Sequence, residues 1–249
     1  MSPSKAEEKT EWLHTFMPLG CVHGDSWEPR GAGVLLIESP MVWLVTARQV
    51  IEELDGKDLV TWVRRKQGPS LLNISNSQRT AGTEWIHNDN GVSATLFPVD
   101  PSFNIKAFTS GQCTTLRSLQ PLQPVASLGA LSGMGINRPP HALPAVHEGV
   151  ISTVDPSANQ IHATAPMLPR NTGAPLMLAS PYGGQASIAG ILLGNTMLAD
   201  EDPRVIPVRL STATAMDSVL DLIRSTAATE QRKRVTKPDA TTGDAKEQS

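Results

Sequence analysis

The chain has 249 residues, a formal net charge of −3 and 39% hydrophobic residues, with 20 prolines and 19 glycines. This length suits one large domain or two lobes that share an interface, and the apolar fraction is sufficient for a core. The proline and glycine content favours many turns and few long helices. The slightly acidic charge argues against a general nucleic-acid binder, which normally presents a basic face.

The sequence carries no signal for a membrane or for secretion. It has no apolar run of the length, about 18 residues, that a membrane-spanning helix needs. Its first residues, MSPSKAEEKTEW, lack the apolar stretch of a secretory signal, so we expect an intracellular, cytoplasmic protein. In a reducing compartment Cys21 and Cys113 are expected to be free thiols, and a disulfide between them stays open as the alternative.

Short apolar segments bounded by turn residues run through most of the chain and predict strands. In the first part these segments are 16–22, 33–37, 42–46, 59–63 and 94–97. In the second part they are 125–128, 149–154, 160–165, 175–178 and 186–193. Many short strands at this spacing indicate an all-β sandwich or barrel rather than alternating strands and helices.

Two segments are predicted to be helical. Residues 47–54 directly follow a strand and are expected to form a short helix. In residues 213–226 the apolar side chains recur at i, i+3, i+4 and i+7, which is one helical face. They are Met216, Val219, Leu220 and Ile223. Residues 227–249 contain a basic QRKRVTK cluster and little that is apolar, so we expect a disordered, solvated tail; contact of the cluster with an acidic partner is the alternative.

Three segments in chain order carry a pattern of catalytic motifs. The first consists of GAGVLLI (31–37) and, after a turn, WLVTARQVIEE (43–53). It resembles the trypsin-like serine proteases, which have a Gly-Ser-Gly strand, a hairpin and a strand that ends in Thr-Ala-x-His-Val. Thr46, Ala47 and Val50 match this pattern, and Gln49 stands at the position of the histidine.

The second segment, GVSATLFPVD (91–100), resembles the Asp-Val-Ala strand of the same family. The alignment slips by one residue, so the aspartate position is either Gly91 or Val92, and neither is a carboxylate. Asp89 falls two or three residues too early, inside the turn-like stretch HNDNG.

The third segment, LPRNTGAPLML (168–178), resembles the Gly-Asp/Asn-Ser-Gly-Gly-Pro loop that carries the nucleophile. The matching residues are Asn171, Gly173, Pro175 and Leu176. Thr172 replaces the serine, Ala174 replaces a glycine, and Arg170 replaces the glycine whose N–H helps to form the oxyanion hole. Arg170 and Asn171 are therefore the oxyanion-hole-equivalent positions. Further partial matches at 125–130, 149–152 and 188–194 extend the resemblance over about residues 14–210.

The resemblance implies an all-β fold of two antiparallel six-stranded barrels with a cleft between them and a C-terminal α-helix. The first barrel is expected over about 14–105 and the second over about 112–210. Residues 1–13 are expected to be a flexible N-terminus. The helix is expected over 211–226 and the disordered tail over 227–249.

The resemblance also implies that triad catalysis is lost. Trypsin-like catalysis needs a base that accepts the proton of the nucleophile and later returns it, and the amide of Gln49 is far too weak a base. Gly91 or Val92 would not orient a base, and the hydroxyl of Thr172 is a nucleophile only beside one. Arg170 replaces a residue whose backbone conformation favours glycine. We therefore expect a catalytically inactive pseudoprotease that binds a peptide or protein in the cleft, without a cofactor or metal.

The alternative function is a weak or specialised hydrolase with Thr172 as nucleophile and a non-standard base. His87 is the candidate base, and a turn histidine in a polar stretch is the simpler interpretation. Without such a base, Thr172 and Gln49 are expected to hydrogen-bond to each other in a structural role. None of the six histidines has metal-ligand spacing to another His or Cys.

Three arginines fall near the expected cleft. A cluster of Arg30, Arg48 and Arg170 would favour an anionic ligand or the C-terminal carboxylate of a peptide. The other interpretation is three ordinary solvated side chains.

Overall fold

The structure, a computed structural model of the chain, describes residues 14–24, 26–38, 40–54, 56–129, 144–168, 170–178, 186–198 and 208–236. The predicted flexible segment 1–13 and the end of the predicted tail, 237–249, lie outside these residues. Within them, strands dominate, and no helix is long and apolar enough to cross a membrane.

The strands divide between two halves of the chain. Those of the amino-terminal half are β1 (Phe16–His23), β2 (Ser26–Glu38), β3 (Met41–Ala47), β4 (Val60–Arg65), β5 (Gly68–Asn73), β6 (Ile86–His87), β7 (Val92–Leu96) and β8 (Phe108–Thr109). Those of the carboxyl-terminal half are β9 (Pro124–Gly129), β10 (Ala145–Asp155), β11 (Gln160–Ala163), β12 (Pro175–Leu178), β13 (Ser187–Leu198) and β14 (Val208–Ala215). The helices are α1 (Arg48–Glu52), α2 (Ile74–Ala81), α3 (Met216–Arg224) and α4 (Thr226–Thr236).

The amino-terminal half forms an eight-stranded sheet in the order β5-β4-β1-β2-β3-β7-β6, with β8 paired parallel to β2. The six-stranded barrel predicted for this half is not confirmed. Helix α2, which the sequence analysis did not predict, lies between the two ends of the sheet. The N–H of Ile74 donates to the carbonyl oxygen of Leu59 at 2.9 Å, and Nε2 of Gln78 donates to Oγ1 of Thr95 at 2.8 Å.

The carboxyl-terminal half is a closed barrel in the order β10-β11-β14-β13-β12-β9, which confirms the predicted six-stranded barrel there. The predicted start of the C-terminal helix at residue 211 is wrong, because β14 continues to Ala215. Ala213 and Ala215 are buried in the barrel core, and β14 pairs with both β11 and β13. The alternating small and β-branched residues 211–215 therefore close the barrel, and the apolar helical face starts at Met216.

The predicted tail is also partly wrong, because Thr226–Thr236 forms helix α4. The helix is polar in sequence, but it contacts the amino-terminal half. Oε1 of Gln231 accepts a hydrogen bond from the N–H of Glu84 at 2.9 Å, and the Arg232 guanidinium lies 5.5 Å from the ring centre of Trp43. These long-range contacts stabilise a segment whose composition indicates disorder.

The two halves share one apolar core. We call it the shared core, and it contains buried residues of β2, β3 and β7 from the first half, of β9, β12 and β13 from the second, and of α3. Strand β2 packs apolar side chains on both of its faces, which accounts for its continuous apolar run. Val34 and Leu36 enter the shared core, while Leu35 on the other face enters a separate core of the first half. Because both faces are covered, the strand shows no polar alternation.

Candidate functional site

The loop that carries Thr172 meets the first half at a close backbone contact. The N–H of Ala32 donates to the carbonyl oxygen of Thr172 at 2.8 Å, and Oγ1 of Thr46 donates to the carbonyl oxygen of Ala32 at 2.6 Å. Gly173 has a φ of +87°, and a Cβ there would overlap the Ala32 carbonyl and the Thr46 hydroxyl. We call Ala32, Thr46, Thr172 and Gly173 the joint. No side chain fits at Gly173, so the shape of this loop is coupled to the packing of the two halves.

Helix α1 brings Gln49 beside the joint. Val50 is buried, and a Cβ on Gly31 would meet its Cγ2 at 2.5 Å and the carbonyl oxygen of Thr172 at 2.7 Å. The side chain of Gln49 is exposed, and its Nε2 donates to Oε1 of Glu53 at 2.6 Å. The expected hydrogen bond between Gln49 and Thr172 is therefore not formed, because the amide pairs along its own helix at the i+4 position.

The two candidates for the aspartate position, Gly91 and Val92, both lie next to the start of α1 but differ in environment, and Val92 pairs with Ala47. The carbonyl oxygen of Gly91 accepts a hydrogen bond from the N–H of Arg48 at 2.8 Å. Gly91 has a φ of +78°, and a Cβ there would lie 3.4 and 3.5 Å from the two methyl carbons of Leu193 on β13. The side chain of Val92 is fully buried in the shared core. A side chain at position 91 would therefore contact the apolar side chain of Leu193, close to the start of α1.

The turn before Gly91 is attached to the carboxyl-terminal half. Nδ2 of Asn88 donates to the carbonyl oxygen of Ser218 at 3.2 Å, and Nδ2 of Asn90 donates to Oγ of Ser218 at 2.9 Å. Oγ1 of Thr214 donates to the carbonyl oxygen of Asn90 at 2.5 Å. Asp89, in the same turn, is exposed. Helix α3 and strand β14 thus hold the turn that leads into Gly91.

The oxyanion-hole-equivalent residues differ from each other in environment. Arg170 is exposed and has a φ of +71°, the left-handed region that favours glycine. Asn171 is fully buried against Gly129, and among the described residues neither its Oδ1 nor its Nδ2 has a hydrogen-bond partner. Burying an amide without partners costs about 1–3 kcal/mol for each unmade bond, so Asn171 is a costly residue to retain here.

The backbone N–H groups of this loop alternate between paired and unpaired. The N–H of Asn171 donates to Leu168 at 3.1 Å, and the N–H of Gly173 donates to Leu192 at 2.7 Å. The N–H groups of Arg170 and Thr172 have no acceptor in the part of the chain that the structure describes. Two unpaired donors therefore flank the buried Asn171.

His87, the candidate replacement base, is bonded elsewhere. Its Nδ1 lies 2.6 Å from Oγ of Ser93. Burial lowers the pKa of His87, and the Arg48 guanidinium lowers it further. Among the described residues, no histidine or carboxylate is hydrogen-bonded to the hydroxyl of Thr172, which is half-buried.

The three arginines near the site are not equivalent. Arg30 pairs with Glu28 at 2.9 Å, and Arg48 pairs with Glu52 at 2.7 Å. Arg170 has no carboxylate partner within the described residues. Of these three arginines, Arg170 is therefore the one whose charge no carboxylate of the described residues balances.

Neither a metal site nor a disulfide is found in the described ranges. They hold no group of three His, Cys, Asp or Glu side chains that could bind a metal ion. Both cysteines are free: Cys21 is buried, and Sγ of Cys113 donates to the carbonyl oxygen of Thr109 at 3.7 Å. Burial raises the pKa of the Cys113 thiol to about 12, so it is protonated at neutral pH.

Sequence reasoning missed several residues of the site. Leu193, Ala32 and Glu53 were not singled out, although each touches a candidate position. The pairing of Gln49 with Glu53 could have been predicted from their i, i+4 spacing. The contacts of Leu193 and Ala32 join distant segments, and no local pattern reports them.

Comparison with known proteins places the fold but not the family. No protein-family model matches the chain, and no curated protein matches its sequence. Among solved structures, the chain is similar to the serine endoprotease from Yersinia pestis, with a TM-score of 0.53 and 14% sequence identity. The likeness covers 94% of this chain and 68% of that one. The chain therefore has a serine-protease fold.

Proposed function

We propose that this chain is a trypsin-like pseudoprotease that binds a peptide or protein in the cleft between its halves. In this proposal Gln49, Gly91 and Thr172 stand where the family has its histidine, aspartate and serine. The amino-terminal sheet is an altered form of the first barrel, with α2 at the point of closure. The observation that carries the proposal is the hydroxyl of Thr172, to which no histidine or carboxylate of the described residues is hydrogen-bonded.

The missing base argues against catalysis more strongly than the change of nucleophile. A threonine hydroxyl attacks a carbonyl only when a neighbouring group takes its proton. The group at the histidine-equivalent position is the Gln49 amide, which is bonded to Glu53 and does not accept protons at neutral pH. The lowered pKa of His87 keeps its imidazole neutral, but its Nδ1 is bonded to Ser93.

Peptide binding is supported by an unpaired strand edge beside the Thr172 loop. Strand β13 pairs with β14 from Gly190 to Leu198, but on its other side it pairs with β12 only as far as Ile191. Along residues 194–197 this second side has no strand partner among the described residues. An unpaired edge can add an extended peptide as a further strand through backbone hydrogen bonds.

Labelling with a fluorophosphonate probe tests the catalytic half of the proposal. We expect no labelling of the native chain at Thr172 after a long incubation, because nothing activates the hydroxyl. The double variant Gln49→His, Thr172→Ser supplies a base and a serine, and we expect it to label slowly. Mass spectrometry of the modified peptide identifies the site.

The competing function, a hydrolase with Thr172 as nucleophile, predicts the opposite result. Labelling of the native chain at Thr172 that is abolished by Thr172→Val would establish that function and contradict the pseudoprotease proposal. The His87→Gln variant then shows whether that histidine is the base.

A further inference from the structure

We propose that the cleft recognises the carboxyl-terminal end of an extended polypeptide and that the free α-carboxylate binds at Arg170. This inference rests on the proposed function, because it names the kind of peptide that the cleft binds. Arg170 supplies the guanidinium, and the N–H groups of Arg170 and Thr172 supply two further donors.

The first support is the charge at position 170. Arg30 and Arg48 are neutralised by Glu28 and Glu52, at 2.9 and 2.7 Å, whereas Arg170 is exposed and meets no carboxylate among the described residues. A guanidinium presents N–H donors in a planar fork that matches a carboxylate. An internal peptide bond is neutral and offers a single carbonyl oxygen, so it does not use this fork fully.

The second support is a pair of backbone donors in the same loop as Arg170. The N–H groups of Arg170 and Thr172 have no acceptor in the described chain, while those of Asn171 and Gly173 between and after them are paired. The left-handed conformation of Arg170, with φ at +71°, occurs in the backbone concavities that bind anions through successive N–H groups. Residues 170–172 thus carry the guanidinium and both backbone donors within three consecutive positions.

The third support is the direction of the unpaired edge. Residue Leu192 is bonded to the loop, since its N–H donates to Ala174 at 2.9 Å and its carbonyl oxygen accepts from Gly173 at 2.7 Å. The unpaired edge, residues 194–197, continues away from this point along β13. A peptide that pairs antiparallel to β13 therefore runs back towards Leu192, and its carboxyl end arrives at the loop that carries Arg170 and Thr172.

An array experiment with the full chain tests this inference. Random eight-residue peptides are attached by their amino ends, which leaves the carboxylates free, and a second array is attached by the carboxyl ends. Fluorescently labelled chain is applied to both, and the strongest binders are resynthesised in solution with either a free carboxylate or a terminal amide. Fluorescence anisotropy then gives the dissociation constant of each form.

We expect the free carboxylate to bind about tenfold more tightly than the amide, the size typical of a charge-assisted hydrogen bond. Arg170→Gln should remove this preference, and Arg170→Lys should keep part of it. Arg117→Gln is the matched control, because Arg117 is also exposed and lies in the turn between the halves. It should leave the preference unchanged, and thermal unfolding should show that all variants are folded.

The outcomes separate this inference from the proposed function. Equal binding of the acid and amide forms overturns carboxylate recognition and leaves peptide binding intact. Retention of the preference in Arg170→Gln also overturns the inference, because the carboxylate is then bound elsewhere. If no peptide on either array binds, peptide binding itself fails, and this inference fails with it.

Discussion

The two halves of the molecule contribute to the candidate site in different ways. The carboxyl-terminal half contributes a loop whose shape is fixed by packing, since Gly173 has no room for a side chain and Thr172 is bonded to Ala32. The amino-terminal half contributes Gln49, which is exposed and whose amide donates to Glu53 along its own helix. The Thr172 loop is thus held by contacts between the halves, whereas the side chain of Gln49 is held by a contact within its own half.

Gly91 combines a constrained backbone with a position that has no side chain. Its left-handed backbone is fixed by hydrogen bonds between the preceding turn and Ser218, while its side-chain position carries no functional group and borders Leu193.

A side chain at Gly173 of the joint is expected to lower the stability of the fold more than any other change considered below. Gly173→Ala places a methyl group against the Ala32 carbonyl and the Thr46 hydroxyl, on a backbone with φ at +87°. Strain and overpacking together are expected to lower the free energy of unfolding by about 3 kcal/mol or more, measured by urea denaturation.

Gly194→Ala is the matched control for that variant. It lies on β13, and a Cβ there has no neighbour within 4 Å. We expect it to change stability by less than about 0.5 kcal/mol. If both variants are equally stable, the joint does not constrain the loop, and the contrast between the halves is lost.

A middle-sized effect is expected from removing a buried hydroxyl at the joint. Thr46→Val deletes the donor to the Ala32 carbonyl at 2.6 Å, and we expect a loss of about 1–3 kcal/mol in the free energy of unfolding. Thr61→Val is its counterpart within the first half, where the hydroxyl donates to Pro18 at 2.8 Å. A loss for Thr61→Val without one for Thr46→Val would show that the joint adds little to stability.

The smallest effect is expected from the surface of the amino-terminal half. Hydrogen bonds from Arg79 and then Asn73 lower the pKa of Asp58 to about 2. Because the folded pKa lies below the ordinary value near 3.9, the carboxylate stabilises the fold above that value and loses its contribution as the pH falls towards about 2. Since the Arg79–Asp58 pair is largely exposed, Asp58→Asn should cost less than about 1 kcal/mol at pH 7.

Urea denaturation of both proteins at pH 7 and pH 2 checks this. The difference between the native chain and Asp58→Asn should shrink to a small part of its pH 7 value at pH 2, where about half of the folded chains are protonated at Asp58. A difference that is the same at both values would mean that the charge of Asp58 contributes nothing.

Much of the strand pattern was readable from the sequence, and so was the closed barrel of the second half. Helix α2 carried local signals that were not used, since the side chain of Asn73 caps its start and Gly82 ends it in the left-handed conformation. Strand β14 was partly assigned to a helix, because residues 213–215 adjoin the apolar face that begins at Met216. Its two strand partners decide its conformation.

The remaining differences depend on tertiary contacts. Helix α4 is polar along its length, and the bond between Glu84 and Gln231 that attaches it joins residues 147 positions apart. For the site, the sequence indicated which residues occupy the candidate positions. The different surroundings of Gly91 and Val92, one beside Leu193 and the other buried in the shared core, depend on contacts between distant segments that the sequence does not report.

The shared core also has a consequence for the order in which the chain is made. Trp43 of the first half is buried in a core completed by α3 and Ala228, and Arg232 of α4 lies over its ring. At a synthesis rate of about 5–20 residues per second, the 147 residues between Glu84 and Gln231 take roughly 7–30 seconds to make. During that interval β9, β12 and β13 are made before α3 and α4, so the apolar face of the first half lacks part of its cover until the end. The shared core is therefore complete only after residues of α3 and α4 have been made, and the first half reaches its final packing with the second.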